Sequence, residues 1–280
     1  MKKWAYLVFP RRMGAAALLL VAALFLAVTV GSVRAGVMAV SAGGGNINWG
    51  LRQKRDGTPP EVAPGADALL KSYNGRYLGD TTAQKVYLTY DLGYEAGYTG
   101  QVLDVLKQNG LHAVFFLTGN YLLREGALVQ RMIDEGHSLG NHTNKHKLLT
   151  KLTAEEVRED ILTLEQMCVE MYKVKPAFFR PPEGSFNERV LGIANQMNYT
   201  TVLWSGAYVD WNRDKTIGAD AVKEKVMAIL HPGAVYLFHI ASADPPAALP
   251  GLLTGFKEKG YTVGEPKELL MGETSMKTTQ

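Results

Sequence analysis

Two histidines four residues apart, His142 and His146, form a candidate metal site. They lie in the segment Gly140-Asn141-His142-Thr143-Asn144-Lys145-His146. If this segment is helical, or a turn that continues into a helix, the spacing places both imidazoles on one face. Their neutral nitrogens could then share a divalent ion such as zinc. Surface histidines often show the same spacing, so the metal interpretation depends on the other polar residues expected at the same rim.

Asp91 and His239 are the candidate acid–base pair. Asp91 follows the apolar run 86–90 and precedes Gly93, where the backbone could turn away and leave the carboxylate at the rim. His239 ends the apolar run 235–238. A carboxylate can activate a water as a general base, and a histidine on the opposite side of the carbonyl can protonate the leaving group. The two residue types together predict hydrolysis of a carbonyl compound.

Arg180 and Asp210 are candidate supporting residues. Arg180 would hold Asp91 ionised through a charge-assisted hydrogen bond, and Asp210 could orient His239 and raise its pKa. An ordinary structural ion pair is the alternative for each of them. We predict structural roles for the remaining histidines and for the only cysteine, which are His112, His137, His231 and Cys168.

Short β-rich runs alternate with helical segments from Lys85 onward. The predicted strands are Val86–Tyr90, Ala113–Leu117, Ser138–Gly140, Ala177–Phe179, Thr200–Trp204, Ala234–Phe238 and Tyr261–Val263. The predicted helices are Thr99–Gln108, Leu123–Glu135, Thr153–Tyr172, Asn187–Met197, Asp220–Leu230 and Pro250–Lys259. This alternation predicts an α/β fold with a parallel sheet, either a barrel or a doubly wound sheet. The carboxyl ends of parallel strands share one edge, so the candidate residues are expected to meet there.

Residues 1–35 differ in composition from the rest of the chain. They contain five basic and no acidic residues, and the stretch from Met13 to Val33 is uncharged and apolar. This pattern predicts an export signal, either cleaved after Ala35 or retained as a membrane anchor. The remaining residues include 25 basic and 27 acidic ones, so their net charge is −2. This balance argues against a nucleic-acid partner, because no basic surface remains to neutralise phosphates.

These features predict four regions. The leader at 1–35 is followed by a tether and irregular lead-in at 36–84, in which we expect no core. A catalytic domain at 85–270 and a polar tail at 271–280 follow. The predicted location is outside the cytoplasmic membrane, in the cell wall or anchored with the domain facing outward.

Five segments, in this order, resemble the polysaccharide deacetylases of carbohydrate esterase family 4, which share the NodB-homology domain. The segments are Thr89-Tyr90-Asp91-Leu92-Gly93, His142 to His146, Arg180-Pro181-Pro182-Glu183-Gly184, Asp210-Trp211 and Leu237-Phe238-His239. The resemblance covers residues 85 to 270.

The resemblance implies a fold, a cofactor and a reaction. The fold is a single-domain distorted (β/α)7 barrel of the NodB-homology type. The cofactor is a divalent metal, zinc in our expectation, held by His142 and His146. Asp91 would be the base and His239 the acid in the removal of an acetyl group from an N-acetylated amino sugar. The remaining motif residues would support the catalytic and metal-binding side chains; they are Gly93, Arg180, Pro181, Asp210 and Trp211.

Three further segments resemble the muramic δ-lactam branch of this family in spore-forming bacteria. They are Asn48-Trp49-Gly50-Leu51, residues 94–99, and Ala207-Tyr208-Val209-Asp210-Trp211. This resemblance implies that the substrate is N-acetylmuramic acid in a peptidoglycan strand of the spore cortex, after a cell-wall amidase has removed the peptide. The freed amine would then close a lactam.

Leu92 departs from the family pattern. The resemblance implies a metal-binding aspartate at this position, and leucine cannot coordinate an ion. We therefore expect weak or atypical metal binding, with Glu95 or Glu183 as substitute ligands.

Two alternatives remain open from the sequence. The protein could be a catalytically silent module that binds cell-wall glycan, or a deacetylase of N-acetylglucosamine in peptidoglycan or in chitin-type oligomers.

Overall fold

The computed structural model describes residues 45–213 and 215–270. The predicted leader, residues 36–44 of the predicted tether and the predicted tail lie outside the described residues. All described residues belong to one compact unit. Across the two described ranges, no helix is long and apolar enough to cross a bilayer.

Short strands alternate with helices along the described chain. The strands are β1 Ile47–Asn48, β2 Leu51–Arg52, β3 Glu61–Val62, β4 Gly75–Arg76, β5 Lys85–Leu92, β6 Val114–Leu117, β7 Ser138–Asn141, β8 Phe178–Phe179, β9 Ser185–Phe186, β10 Thr200–Val202, β11 Gly206–Ala207, β12 Ala234–His239 and β13 Thr262–Val263. The helices are α1 Ala66–Ser72, α2 Thr99–Gln108, α3 Gly119–Arg124, α4 Gly126–Asp134, α5 Ala154–Tyr172, α6 Glu188–Gln196, α7 Ala219–Met227 and α8 Asp244–Glu258. Short 3₁₀ turns span Leu149–Lys151, Pro182–Gly184 and Pro266–Leu269. All seven predicted strands and their intervening helices are present.

The main sheet is parallel and curled. Its order is β11-β12-β5-β6-β7-β8-β10-β4, and β13 also pairs with β5. Strands β10 and β11 belong to one segment, residues 200–207, yet they pair near opposite ends of this order. Because one short segment reaches both ends, the sheet must curve back on itself. This curvature agrees with the predicted distorted barrel.

Strand β5 shows how the sequence builds two different faces of the sheet. Its residues in the apolar cluster between the sheet and the helices are Val86, Leu88, Tyr90 and Leu92. The intervening residue Tyr87 belongs to a second cluster inside the curl. Successive side chains of a strand point to opposite faces, so Thr89 and Asp91 share the inner face with Tyr87.

The expectation that residues 36–84 build no core is wrong for the part that the structure describes. The aromatic and aliphatic residues Trp49, Ala66, Leu70 and Tyr77 are buried there. Strand β1 pairs antiparallel with β9, and β4 pairs with β10 at one end of the main sheet. These strands have only two residues each, so they leave no alternating pattern by which the sequence could reveal them.

Two helices differ most from their predicted bounds. The predicted helix Leu123–Glu135 is divided at Glu125 into α3 and α4, and the Thr118 hydroxyl accepts a hydrogen bond from the Tyr121 amide at the start of α3. Helix α8 begins at Asp244, six residues before the predicted start at Pro250. Pro245 and Pro246 occupy its first turn, where a missing amide proton costs no helical hydrogen bond.

Candidate active site

The predicted catalytic residues meet at the carboxyl edge of the sheet. Asp91 and His239 are register partners on the neighbouring strands β5 and β12. His142 follows β7, and Arg180 follows β8. They surround a cleft of about 840 Å³. Its lining includes Asp91, Gly93, Tyr94, Thr118, Asn120, His142, Asn144, Lys145, His146, Glu183, Gly184, Trp204, Trp211, Leu237 and His239.

Asp91 and Arg180 form a buried ion pair at the base of this cleft. The Nη1 of Arg180 donates to Oδ1 of Asp91 over 2.7 Å, and Arg180 is fully buried. Burial alone would raise the pKa of Asp91, but the charge of Arg180, helped by His142 and His239, outweighs it and lowers that pKa. Asp91 is therefore ionised at neutral pH, as a general base must be.

The remaining donors of Arg180 fix the orientation of its guanidinium group. Nε donates to the Val202 carbonyl over 2.8 Å, and Nη2 donates to the Thr89 hydroxyl over 2.9 Å. The guanidinium carbon lies 4.0 Å from the centre of the Phe116 ring. Sequence reasoning missed Thr89, although its position two residues before Asp91 already places it on the same face of β5.

His142 and His146 are brought together by a loop. The helical alternative is wrong, because Thr143 and His146 both have left-handed backbone conformations, with φ of 67° and 51°. The Nδ1 of His142 lies 2.8 Å from the Arg180 carbonyl and can only donate to it, which leaves Nε2 as the free lone pair. That Nε2 lies 3.2 Å from Nε2 of His146 and 3.6 Å from Oδ2 of Asp91. Burial lowers the pKa of His142 to about 4, so this ring is neutral at pH 7.

His239 and Asp210 form a second hydrogen-bonded pair. Oδ1 of Asp210 lies 2.8 Å from the ring Nδ1 of His239, and Oδ2 accepts from the His239 backbone amide over 2.8 Å. Burial alone would lower the pKa of His239, but Asp210 outweighs it and raises that pKa. Because Nδ1 donates to Asp210, the other ring nitrogen, Nε2, is available to deliver a proton.

The supporting residues Trp211, Pro181 and Gly93 occupy different parts of the cleft. Trp211 is 58% exposed, and its ring lies edge-on to His239 with centres 6.0 Å apart. Pro181 is buried and directly precedes the turn Pro182–Gly184. Gly93 lines the cleft, and its carbonyl accepts a hydrogen bond from Nδ2 of Asn120 over 2.9 Å. A Cβ at Gly93 would lie 3.8 Å from Thr118 Cγ2, an ordinary contact, so steric space does not require glycine there.

The histidine pair fits a divalent ion, but no acidic ligand completes the site. Two nitrogens bound to one tetrahedral zinc at about 2.0–2.1 Å lie about 3.3 Å apart, close to the observed separation. Leu92 is buried in the apolar cluster beneath the helices. Within the described residues, no three His, Cys, Asp or Glu side chains are arranged to hold a metal.

Neither substitute ligand is confirmed. Oε1 of Glu95 accepts from the amides of Gly97, Tyr98 and Thr99 at the start of α2, and Oε2 accepts from the Tyr121 hydroxyl. Glu95 therefore serves as a cap for this helix. Glu183 is exposed at the lining of the cleft and does not complete a metal-binding group.

The chain is similar in sequence to known deacetylases. A profile of the polysaccharide deacetylase family matches residues 78–202. The chain is 37% identical over 228 residues to the peptidoglycan-N-acetylmuramic acid deacetylase PdaA of Bacillus subtilis. The aligned region covers 80% of this chain and 86% of that protein.

Two solved structures extend the similarity to the fold. The structure of Bacillus subtilis PdaA, a family 4 carbohydrate esterase, matches with a TM-score of 0.77 and 36% identity over 80% of this chain and 96% of that one. A family 4 pseudoenzyme from Bacillus anthracis matches with a TM-score of 0.65 and 30% identity over 70% of this chain and 68% of that one. The predicted fold class is confirmed by the first of these structures. Extensive identity, a shared fold and a matching family profile together show that the chain belongs to the polysaccharide deacetylases of carbohydrate esterase family 4.

Proposed function

We propose that this protein hydrolyses the N-acetyl group of N-acetylmuramic acid in peptidoglycan. The observation that carries the proposal is the pairing of Asp91 with Arg180 and of His239 with Asp210, on adjacent strands at one cleft. This arrangement keeps the Asp91 carboxylate ionised and raises the pKa of the His239 imidazole close to it. The name of the Bacillus subtilis relative supports the choice of sugar.

In the proposed reaction, Asp91 accepts a proton from a water molecule that attacks the acetyl carbonyl carbon. The new carbon–oxygen bond gives a tetrahedral intermediate. His239 then donates the proton on Nε2 to the amide nitrogen as the carbon–nitrogen bond breaks. Acetate and a free amine are the products, and the proton taken up by Asp91 must return to His239 or to solvent before the next cycle.

Arg180 and Asp210 act through these two groups. Arg180 fixes the carboxylate through Oδ1, which leaves Oδ2 of Asp91 for the water. Asp210 fixes the ring of His239 and favours its charged form. A divalent cation held by His142 and His146, zinc in our proposal, would supply Lewis-acid polarisation of the carbonyl.

The cellular setting is part of the proposal. Residues 1–35 would export the catalytic domain and could anchor it to the membrane. The substrate would be a glycan strand from which an amidase has removed the peptide, and the amine would go on to form muramic δ-lactam in spore cortex. Support for these steps comes from the leader composition and from the similarity of residues 48–51, 94–99 and 207–211 to the δ-lactam branch.

A substrate panel tests this proposal. The purified full chain is incubated with added zinc and three glycans: peptide-free peptidoglycan, peptide-bearing peptidoglycan and N-acetylglucosamine oligomers. We expect muramic residues of the peptide-free glycan alone to lose an acetyl group by mass spectrometry. Deacetylation of the glucosamine residues instead would identify the alternative substrate.

One observation favours a second candidate, a catalytically silent glycan-binding module. Leu92 leaves the histidine pair without an acidic co-ligand, and a structural relative is described as a pseudoenzyme. A related structure is described as a mutant of that protein with restored enzymatic activity. The silent module predicts glycan binding that survives both a chelator and Asp91→Asn, with no product at any metal concentration.

A further inference from the structure

The loop that carries the two histidines is held in an unfavourable backbone conformation. Thr143 is β-branched and nevertheless has a φ of 67°, and His146 has a φ of 51°. Few residues other than glycine adopt this left-handed region; asparagine, aspartate and histidine do so more often than the rest, and a β-branched residue such as Thr143 is an outlier there. Such conformations persist only where the surrounding structure fixes them strongly.

Each backbone amide from residue 142 to residue 146 is hydrogen-bonded outside any helical pattern. Two carbonyl oxygens serve as acceptors: His142 N donates to the Leu117 carbonyl over 3.0 Å and Asn144 N to the Asp160 carbonyl over 3.2 Å. Three side chains accept the others. Thr143 N donates to Asn141 Oδ1 over 2.9 Å, Lys145 N to Asp160 Oδ1 over 3.0 Å, and His146 N to Thr143 Oγ1 over 3.0 Å.

The opposite side of the loop is held by helix α3. The amide of Gly119, its first residue, donates to the carbonyls of Thr143 and Asn144, each over 3.2 Å. A Cβ on Gly119 would lie 2.8 Å from the Asn144 carbonyl oxygen, so the loop is in close contact with this helix.

Asp160 is the one of these acceptors that binds two amides of the loop. It lies on α5, is 5% exposed, and holds two consecutive loop amides through its carbonyl and its Oδ1. Its second carboxylate oxygen, Oδ2, is buried and makes no hydrogen bond. The Lys145 amide therefore uses one of the two carboxylate oxygens of Asp160.

We propose that Asp160 is a positioning residue that fixes His146 opposite His142 and thereby sets the affinity of this pair for a divalent ion. The geometry carries the proposal, because Asp160 fixes Lys145 and thus the approach of the chain to His146. With Leu92 in place of an acidic ligand, the two histidines must bind with little help from other side chains. A preformed loop reduces the ordering that binding requires. The proposal rests on one part of the proposed function, namely that His142 and His146 bind a divalent ion.

The test compares Asp160→Ala with Asp160→Asn in the full chain. Asparagine keeps the Oδ1 acceptor for the Lys145 amide, whereas alanine removes it. Zinc alone is titrated into the metal-free protein by calorimetry, with no glycan present. We expect Asp160→Ala to weaken zinc binding at least tenfold, the usual range for lost support of a metal ligand, and Asp160→Asn to stay within about twofold.

A second readout separates positioning from general stability. Hydrogen exchange of the Lys145 and His146 amides should accelerate in Asp160→Ala, while protection of the β5 amides is unchanged. Glu159→Ala is the matched control, since Glu159 is the exposed neighbour of Asp160 on the same helix. It should alter neither zinc affinity nor exchange.

Three outcomes would overturn the proposal. One is unchanged zinc affinity in a folded Asp160→Ala chain. Another is an equal loss in Asp160→Asn, which would assign the effect to charge. The third is the absence of any zinc binding by the protein without substitutions. Each of these results is independent of the sugar that the enzyme uses, so the proposed substrate can fail without affecting the test.

Discussion

Two carboxylates at one cleft take opposite roles because their partners differ. Asp91 faces the permanent charge of Arg180, which lowers the pKa of Asp91 in spite of its burial. Asp210 faces a histidine and raises the pKa of that ring. From the sequence alone, these residue types could be predicted at or just after the ends of strands. The sequence could not show that Thr89 completes the Arg180 site, because that contact depends on how strands β5 and β8 curve toward each other.

Asp210→Asn should move the alkaline limb of the pH profile to lower pH. His239 acts in its protonated form, so activity is lost as the pH rises through the pKa of this ring. The raised pKa of His239 depends on the Asp210 charge, and removing that charge lowers it. We also expect kcat to fall by at most about 10²-fold, since His239, the general acid itself, remains and loses only its orienting partner.

The pH dependence of kcat/KM is the measurement for this variant. Asp134→Asn, an exposed carboxylate on α4, is the control and should leave the profile unchanged. An Asp210→Asn profile with the same alkaline limb would show that another group is the acid.

Leu92→Asp should tighten zinc binding and destabilise the metal-free chain. Leu92 packs in the apolar cluster outside the sheet, but it also lines a small pocket with Asp91 and His239 at the end of β5. A carboxylate at position 92 would leave the apolar cluster and turn toward the incomplete metal site through this pocket. The change also replaces a leucine that is 2% exposed in an apolar cluster, at an expected cost of about 2–4 kcal/mol in the free energy of unfolding.

Calorimetry with zinc and denaturant unfolding measure the two effects. Leu92→Asn separates them, because it introduces a polar group without the charge. Unchanged zinc affinity in Leu92→Asp would mean that ligands from elsewhere already complete the coordination shell.

At the scale of elements, the lead-in to the barrel packs behind two residues of the active-site wall. The Trp49 amide donates to the Gly184 carbonyl over 3.0 Å, and its indole Nε1 donates to the Trp204 carbonyl over 2.9 Å. Both Gly184 and Trp204 line the cleft. Trp49, which directly follows β1, therefore supports the site indirectly.

Gly184→Ala should disturb this contact. Gly184 has a φ of 62°, and a Cβ there would lie 2.7 Å from Trp204 Cη2 and 2.9 Å from Trp49 Cβ. We expect a loss of about 1–3 kcal/mol in the free energy of unfolding, measured with denaturant.

Gly100→Ala provides a control that should change the free energy of unfolding in the opposite direction. Its Cβ would lie 3.8 Å from Arg131 Nη1 inside helix α2, and alanine there should stabilise by up to about 1 kcal/mol. Equal stability of Gly184→Ala and the unchanged chain would contradict the packing described.

The elements differ in how well the sequence predicts them. Helix α2 has its predicted bounds, and strands β5, β6 and β12 follow from the longer apolar runs of the sequence. Strands β1 to β4 could not be predicted, since they have two residues each and are stabilised by partners more than a hundred residues away or by a short hairpin. The conformation of the loop between the two histidines stayed open in the sequence for a related reason. Its conformation is imposed by Asp160 and Gly119, which the local sequence does not reveal.

The whole molecule combines two parts of different charge. Residues 1–35 contain five basic and no acidic residues and account for the positive net charge of the chain, and the remaining residues carry −2. A slightly acidic domain gains no long-range attraction to an anionic wall polymer. Recognition must therefore come from the cleft itself, where Trp211 is exposed beside His239.

The central claim is that Asp91 and His239 hydrolyse an acetamide at this cleft. Acetate release from peptide-free peptidoglycan by the full chain with added zinc tests it most directly. Asp91→Asn and Asp134→Asn are measured beside it. We expect acetate from the unchanged chain and from Asp134→Asn, and a loss of at least about 10²-fold in Asp91→Asn. Equal acetate release from the unchanged chain and Asp91→Asn, or none from either, would contradict the account.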